Sequence, residues 1–502
     1  MAIILSTLAA PQNWPASVLI LAITTLTILL TRLLSRPAWP SQAPKPISSW
    51  PVFGSLGFFR QRWSFLQKGS TTTPSGQFSF FYGPHSIVAL SGTAARKTFF
   101  TSRSLDINEG FAALFSAAPS IEHLYEGEGT VNSHFVGLFK HFTHRDRLEA
   151  NLHNLINDCV PAFENIDISV PIDPFESLYR LVYQLTLRTL GTNDVADDPK
   201  LTDETLGIFM TLDDSSALEV MFPGMPFPSK LSKMWAGAKL HMIFSKIMKD
   251  RRTTGRVEDD AMQSMMDAGD SDIIISAFIM AALFAGLINT GVNAAWILLF
   301  LAKNEEWYQK IRDEVDTSIA KHRYSEDESR ATVLSRLTMD DWEKEFPLID
   351  LCLRESIRLT MPGATFRKNI GGKDIKIDNS DEIIPKNTFA VYPVADIHLN
   401  PDIYTDPHTW DPSRYLPERA EDQKTGHAYL GWGTGLHPCL GMRFAKLEIA
   451  ICMAMFFAFF DFDIVDKHGN NAGSAKLPAL NHNNISSKRQ PGEAWLKCRS
   501  RT

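Results

Sequence analysis

Cysteine is scarce, with five in 502 residues. That excludes a disulfide scaffold, and the odd count suits reduced thiols in a cytosolic setting. Excess positive charge is missing as well. Fifty Lys and Arg face 57 Asp and Glu, a formal net charge of −7, which excludes a nucleic-acid binder whose affinity rests on overall basic charge. There is no internal repeat and no low-complexity run. At 44% hydrophobic residues, with 32 Phe, the chain is far too apolar to be disordered. Length alone suggests about three domains. The motifs described below replace that expectation with one anchor and one large domain.

Charge is absent altogether from two stretches. The first runs from Met1 to Thr31. Within it, Trp14 to Leu34 has the length of a membrane-spanning helix. Arg32 and Arg36 follow at once, with no charged side chain on the other flank, so the positive-inside rule places the rest of the chain in the cytosol. A cleaved signal peptide would carry its basic residues on the opposite side. Residues 1–36 are therefore expected to be a membrane anchor. Pro37, Pro40, Pro44, Pro46 and Pro51 make 37–52 a semi-rigid strap, and 53–502 forms one globule. The second stretch, Ile273 to Ala302, is again long enough to span a bilayer. It carries Ser276, Asn289, Thr290 and Asn293, each of which would need a partner in lipid. A long helix buried through a large globule accounts for it equally well.

The remaining pattern is mainly helical with a small β portion. Phe78–Phe81 and Ile87–Leu90 flank Tyr82-Gly83-Pro84-His85, which predicts a hairpin. Asn304 ahead of Glu305 and Glu306 opens an amphipathic helix to Ala320. Ile349–Leu359 and Ile449–Phe460 read as further helices, the latter wholly apolar. Lys368–Val391 reads as short strands separated by turn formers.

The chemistry concentrates in Gly431-Trp432-Gly433-Thr434-Gly435-Leu436-His437-Pro438-Cys439-Leu440-Gly441. Glycines around one cysteine let backbone approach a flat ligand closely. The following segment is helical in pattern, which places Cys439 at a helix N-terminus, where thiolate is expected to be favoured over thiol. A thiolate in such a loop is what a haem iron needs as an axial ligand. The plain alternative for a lone cysteine is a buried structural thiol. That reading is taken for Cys159, Cys352, Cys452 and Cys498, none of which has such a loop.

This loop resembles the haem-binding signature of the cytochrome P450 family. Two further motifs stand in the family's order. Glu355-Ser356-Ile357-Arg358 matches its Glu-x-x-Arg helix, in which i,i+3 charges share a face. Trp410-Asp411-Pro412-Ser413-Arg414-Tyr415 matches its Pro-x-Arg-aromatic segment. The motifs are separated by about 55 and about 25 residues. The resemblance implies a mainly α fold with a small β portion, preceded by the N-terminal transmembrane helix. It implies a buried triad of Glu355, Arg358 and Arg414 under the cysteine loop. It also makes Ile273–Ala302 the long helix that crosses above the haem, buried in protein and not in lipid.

The resemblance further implies haem held by Cys439, with Trp432 beside the sulfur and His437 and Arg367 as donors to the propionates. Lys140, Arg145 and Arg147 are candidates for a further propionate contact. It implies electrons from NADPH through a cytochrome P450 reductase, with Arg443 and Lys446 near the docking face. The expected setting is the endoplasmic reticulum membrane, with a lipophilic small-molecule substrate and no nucleic acid.

One departure matters. Where the family's central helix carries an acid and then an alcohol, this chain has Ile288 and Asn289. Thr290 is turned about 100° around the helix from that place. Leu283-Phe284-Ala285-Gly286-Leu287-Ile288-Asn289-Thr290 is similar to the sterol hydroxylase and prostacyclin synthase branch. Two chemistries stay open. In a monooxygenase, Asn289, with Thr290 beside it, would hold and protonate the oxygen being activated. In a reductase-independent peroxide isomerase or dehydratase, Asn289 would orient a substrate peroxide. A third alternative is that Asn289 merely caps a kink. The segments expected to face substrate contribute Phe111, Leu114, Phe115, Leu218, Met221, Phe222, Phe284, Leu287 and Met361. They imply a lipophilic, rigid ligand such as a terpenoid, triterpenoid or steroid, and the motifs are similar to those of fungal secondary-metabolism members. Met221–Pro228 is expected to form an apolar loop able to dip into a membrane.

Overall fold

The computed structural model describes residues 16–34, 36–114, 125–212, 217–222, 225–470, 476–484 and 494–501. Helices dominate. The central one, Asp272–Leu301, is buried along nearly all of its C-terminal half. It lies against the helices Pro174–Leu190, Pro228–Thr254 and Pro347–Thr360 and against Met442–Phe459. By length and composition it is apolar enough to cross a membrane, yet its neighbours are protein. Gly291 explains part of that closeness, since a Cβ there would stand 2.8 Å from the Tyr179 ring of helix Pro174–Leu190.

Local sequence sets the helix boundaries. Asn304 caps Glu305–His322 by accepting from the Trp307 N–H at 3.1 Å. Asp173 caps Pro174–Leu190 with Pro174 at the first helical position, and Pro347 opens the Glu355 helix in the same way. The apolar run from Ile449 is the C-terminal part of the helix Met442–Phe459, which hands over at Phe460 to a strand. Trp296, Phe300 and Trp410 stack through the core with centroids 5.2 and 5.3 Å apart.

The β portion centres on one five-stranded sheet. Strands β1 (Phe78–Tyr82) and β2 (His85–Ala89) form the expected hairpin, with Tyr82 opposite His85. β2 runs parallel to β7 (Phe389–Pro393), which pairs antiparallel with β4 (Ala364–Asn369), and β3 (Leu105–Asp106) closes the edge. β5 (Ile375–Lys376) and β6 (Ile383–Ile384) pair in the turn-rich segment between them. β8 (Gly433–Thr434) and β9 (His437–Pro438) lie inside the cysteine loop. β10 (Phe460–Val465) and β11 (Trp495–Ser500) form the last ribbon. The proline strap lies along β1, where the Ile47 N–H donates to the Ser79 carbonyl at 2.9 Å. Ahead of it, Ala16–Leu34 is a 19-residue helix with Ile20, Leu21 and Ile23 exposed. Trp14 and Phe115 lie outside the described residues.

Candidate functional site

The Glu355 helix brings two motif charges together. Arg358 forks onto Glu355 with Nε to Oε2 and Nη2 to Oε1 both at 2.8 Å. Arg414 reaches the same carboxylate from the segment Pro412–Tyr415, its Nε 3.1 Å from Oε1. None of the three is more than 1% exposed. Three buried charges survive there because every lone pair and proton is used. Tyr415 Oη and the Asp411 N–H also donate to Glu355, while Arg358 and Arg414 both donate to the Thr409 carbonyl. Burial alone would lower the Arg358 pKa, but the hydrogen bonds and charge of Glu355 outweigh it and raise the value.

The cysteine loop folds as its glycines require. Gly433 and Gly435 sit at φ +66° and +65°, left-handed backbone that costs glycine little. A Cβ at Gly435 would lie 2.2 Å from the Phe100 carbonyl oxygen. The Cys439 N–H donates to the Trp432 carbonyl at 2.7 Å, so the loop closes on itself just before the helix Met442–Phe459. Cys439 is exposed, whereas the other four thiols are buried. Leu436, Leu440 and Met442 beside it are exposed too.

One expectation is corrected here. The helix start does not make the Cys439 thiol acidic: desolvation by the surrounding protein pushes its pKa up, against the smaller pull of the Gly441 N–H. Its ionisation is therefore tied to coordination, since a thiol bound to a metal is deprotonated outright.

On the central helix, Phe284, Ala285 and Asn289 are exposed in an otherwise packed element. Leu287 is wholly buried and Thr290 is 7% exposed. Both belong to the packed face: Thr290 as its turn away from the Asn289 position implies, Leu287 against the expectation that it faces substrate. A residue one place off along a helix is turned by about 100°, and here that turn decides between open space and core. Phe111 is also open and meets the Phe366 ring at 6.0 Å. Met361 is partly buried at the end of the Glu355 helix. Of the loop expected to touch lipid, Met221 is buried and Met225 exposed.

Whether these residues fit a haem can be tested on Arg367. It is 3% exposed, yet among the described residues Nε and Nη1 have no hydrogen-bond partner. Burial lowers its pKa to about 10, the mark of a cation shielded from water and short of an anion. His437 is near enough to feel it. Burial first and the Arg367 charge second lower the His437 pKa, so the ring is neutral and has one N–H to offer. The indole N–H of Trp432 has no hydrogen-bond partner among the described residues either. A buried guanidinium short of hydrogen bonds, a neutral His437 close to it and two residues ahead of an open cysteine, and an open helix face bearing Phe284 suit a flat apolar ring system carrying carboxylates and a thiolate-ligated metal. The residues fit the group.

Arg145 and Arg147, in contrast, are engaged with Asp340 and Asp259. His398 and Thr360 carried no signal in the sequence, and Asn293 stood out only as a polar residue in an apolar run. Each makes a hydrogen bond to a residue far away in the chain.

Comparison with known proteins agrees with this geometry. The chain first falls in the class of mainly helical proteins built over a glycine–cysteine loop. A solved structure described as retinoic acid bound cyanobacterial CYP120A1 shares that fold, with a TM-score of 0.70 and 20% identity, over 93% of this chain and 100% of that one. The family description "Cytochrome P450" matches residues 44–478. Cytochrome P450 monooxygenase AacuE of Aspergillus aculeatus is 30% identical over 462 residues, covering 90% of this chain and 92% of that protein. Sterol 14-demethylase of Arabidopsis thaliana is 25% identical, covering 84% and 86%. The chain belongs to the cytochrome P450 family and is an oxidoreductase of the monooxygenase kind.

Proposed function

We propose that the protein is a membrane-bound haem-thiolate monooxygenase that hydroxylates or otherwise oxidises a rigid lipophilic substrate, a terpenoid, triterpenoid or steroid, in fungal secondary metabolism. The observation that carries this reading is the open face of Phe284, Ala285 and Asn289 on the central helix, together with the exposed Cys439 and the unsatisfied Arg367. Fungal monooxygenases and plant sterol demethylases among the relatives support the reaction and the substrate class. Haem, ligated by Cys439, supplies oxygen activation when electrons arrive from NADPH through a reductase.

The chain's own residues bind and orient. Arg367 and His437 donate to the carboxylates of the cofactor. Phe111 and Phe284 present apolar surface to the substrate. Asn289, whose side chain is open and makes no hydrogen bond among the described residues, holds a proton donor at the oxygen. The helix Ala16–Leu34 anchors the protein to the endoplasmic reticulum membrane. Trp50, Phe53, Leu218 and Met225 are exposed, and Phe53 meets Phe222 edge-on at 5.9 Å, which joins strap and loop into one apolar face suited to lipid. Arg443 and Lys446 pair with Glu343 and Asp350 at the surface, at 3.1 and 2.8 Å. Such exposed pairs are weak enough to exchange for acids of a reductase.

A second reading is favoured by Ile288, because the open face carries no acid. On that reading the enzyme rearranges a peroxide without oxygen or reductase. The deciding experiment is a carbon monoxide difference spectrum of the reduced protein, followed by NADPH and oxygen use with reductase and candidate terpenoids. We expect a thiolate-type band that Cys439→Ser loses and Cys352→Ser keeps, and substrate-dependent NADPH use. No such band would sink both readings. Turnover of a peroxide without reductase would favour the second.

A further inference from the structure

We propose that His398 is a positioning residue for the cysteine loop, a neutral imidazole that joins the Glu355 helix to the loop's entrance and can do so in one tautomer only. This goes beyond the proposed function and rests on it only in taking Cys439 as the haem ligand.

His398 ends the short helix Ala395–His398 and is 1% exposed. Its Nδ1 lies 3.1 Å from the Arg358 carbonyl oxygen. A carbonyl only accepts, so Nδ1 carries the hydrogen. Its Nε2 lies 2.9 Å from the backbone nitrogen of Leu430. A backbone N–H only donates, so Nε2 carries the lone pair. Both sides of the ring are thus assigned, and the ring is neutral. The His398 carbonyl in turn accepts from Arg358 Nη1 at 2.5 Å. The ring stacks on Tyr429 with centroids 5.5 Å apart, and Tyr429 Oη donates to the Arg354 carbonyl at 3.0 Å.

The hold continues toward the metal ligand. The Leu430 carbonyl accepts the Gly433 N–H at 2.9 Å, and the Trp432 carbonyl accepts the Cys439 N–H at 2.7 Å. The Leu430 amide is where this run of bonds is fastened to the Glu355 helix. Protonating His398 would aim a ring N–H at the Leu430 N–H, so the bond and the proton exclude each other.

The surroundings enforce neutrality. The charged and titratable groups around the ring are Arg358, paired with Glu355 on the same helix, Tyr404 and Tyr429, and His482 of the C-terminal segment with His408 beyond it. Burial first, and the positive charge of Arg358 next, hold the His398 pKa down to about 3. Solvent-exposed imidazole titrates near 6.5. Between those values the proton is taken up only by a loop that has let go, so each unit of pH lost favours the released loop by up to about tenfold.

The test uses the full-length, haem-loaded protein and follows loss of the thiolate-type carbon monoxide band from pH 8 to pH 4. We expect the wild-type rate of loss to rise below about pH 6.5 by up to ~10-fold per unit. In His398→Gln, the amide oxygen can accept from Leu430 and does not titrate, so the band should be retained at pH 7 with a flat profile. His398→Leu should lose the band at pH 7. A His398→Gln profile as steep as wild type, or a His398→Leu band as durable, overturns the proposal.

Should the variants fail to load haem, hydrogen exchange of the wild type decides. Corrected for intrinsic rates, protection at the Leu430 amide must fall below pH 6.5 while amides of Ala294–Leu299 hold theirs. Parallel behaviour overturns the proposal. A wild type without any thiolate-type band would instead mark failure of the ligand assignment, and the exchange measurement would still test His398.

Discussion

The side-chain amide of Asn293 donates to the backbone carbonyl of Asn289 at 2.8 Å, one turn back along the central helix. Thr360, at the end of the Glu355 helix, donates to the Oδ1 of the same Asn293 at 3.0 Å. The turn that carries Asn289 is therefore held from the helix that carries Glu355 and Arg358. Asn293→Leu breaks both bonds and strands a half-buried hydroxyl, which should cost about 1 kcal/mol in urea unfolding. Asn293→Asp keeps a partner for Thr360 but sets an acceptor against a carbonyl and should cost at least as much. Unchanged midpoints in both would show that these bonds contribute nothing.

Asn289 and Thr290 are neighbours with opposite surroundings, and substitutions should separate them. Asn289→Ala leaves the carbon monoxide band and the fold intact but lowers product formed per NADPH by ~100-fold, the lower end expected for a lost proton donor. Thr290→Val acts in the packed face and should change the unfolding midpoint while leaving that ratio within twofold. A reversed pattern would move the proton donor to Thr290.

Arg367 leads to effects of opposite sign. Its guanidinium is buried with two unpaired nitrogens. Replacing it by methionine removes an uncompensated charge, so the haem-free protein should become more stable by about 1–3 kcal/mol, while haem affinity falls. Thermal unfolding of the haem-free form and haem titration measure the two separately. Destabilisation of the haem-free Arg367→Met protein would mean that its stacking over the Phe99 and Phe100 rings, at 5.1 and 5.9 Å, outweighs the cost of burying the charge.

Glu314 makes stability depend on pH. It accepts from the Leu348 and Ile349 N–H groups at 2.7 and 3.2 Å, at the start of the Glu355 helix. Burial outweighs those bonds and raises its pKa from 4.5 to about 7. Between these values the unfolded chain binds fewer protons than the folded one, so the contribution is full below pH 4.5 and lost as pH rises through 7. Glu314→Gln should flatten that loss, which is on the order of 2 kcal/mol. Urea midpoints at pH 5 and pH 7.5 for both proteins provide the check. Equal slopes would assign the pH dependence elsewhere.

Local chemistry was legible before any fold was known. The glycine spacing around Cys439, the Glu355–Arg358 pair at i,i+3, the cap at Asn304 and the hairpin at Gly83-Pro84 depend on neighbours within a few residues. The structure places each where the residues call for it. The uncharged run Ile273–Ala302 read equally as a membrane span or a buried helix, because hydropathy is the same in lipid and in a protein core. Only its packing against Pro174–Leu190 and the Glu355 helix separates the two. The Cys439 thiol shows the same limit. A helix start argued for thiolate, and desolvation, which the sequence does not display, argues more strongly the other way.

The sequence by itself determined the family, the metal ligand to test and the charges of the triad, since these rest on residue type and spacing. Tertiary structure alone decided which face of the central helix is open, so that Asn289 is available and Leu287 and Thr290 are not. It also decided that His398 reaches the Leu430 amide and that Asn293 joins the Asn289 turn to Thr360. Those assignments depend on contacts between segments tens of residues apart, such as His398 with Leu430 and Asn293 with Thr360. Burial and hydrogen-bond geometry arise only when such segments meet.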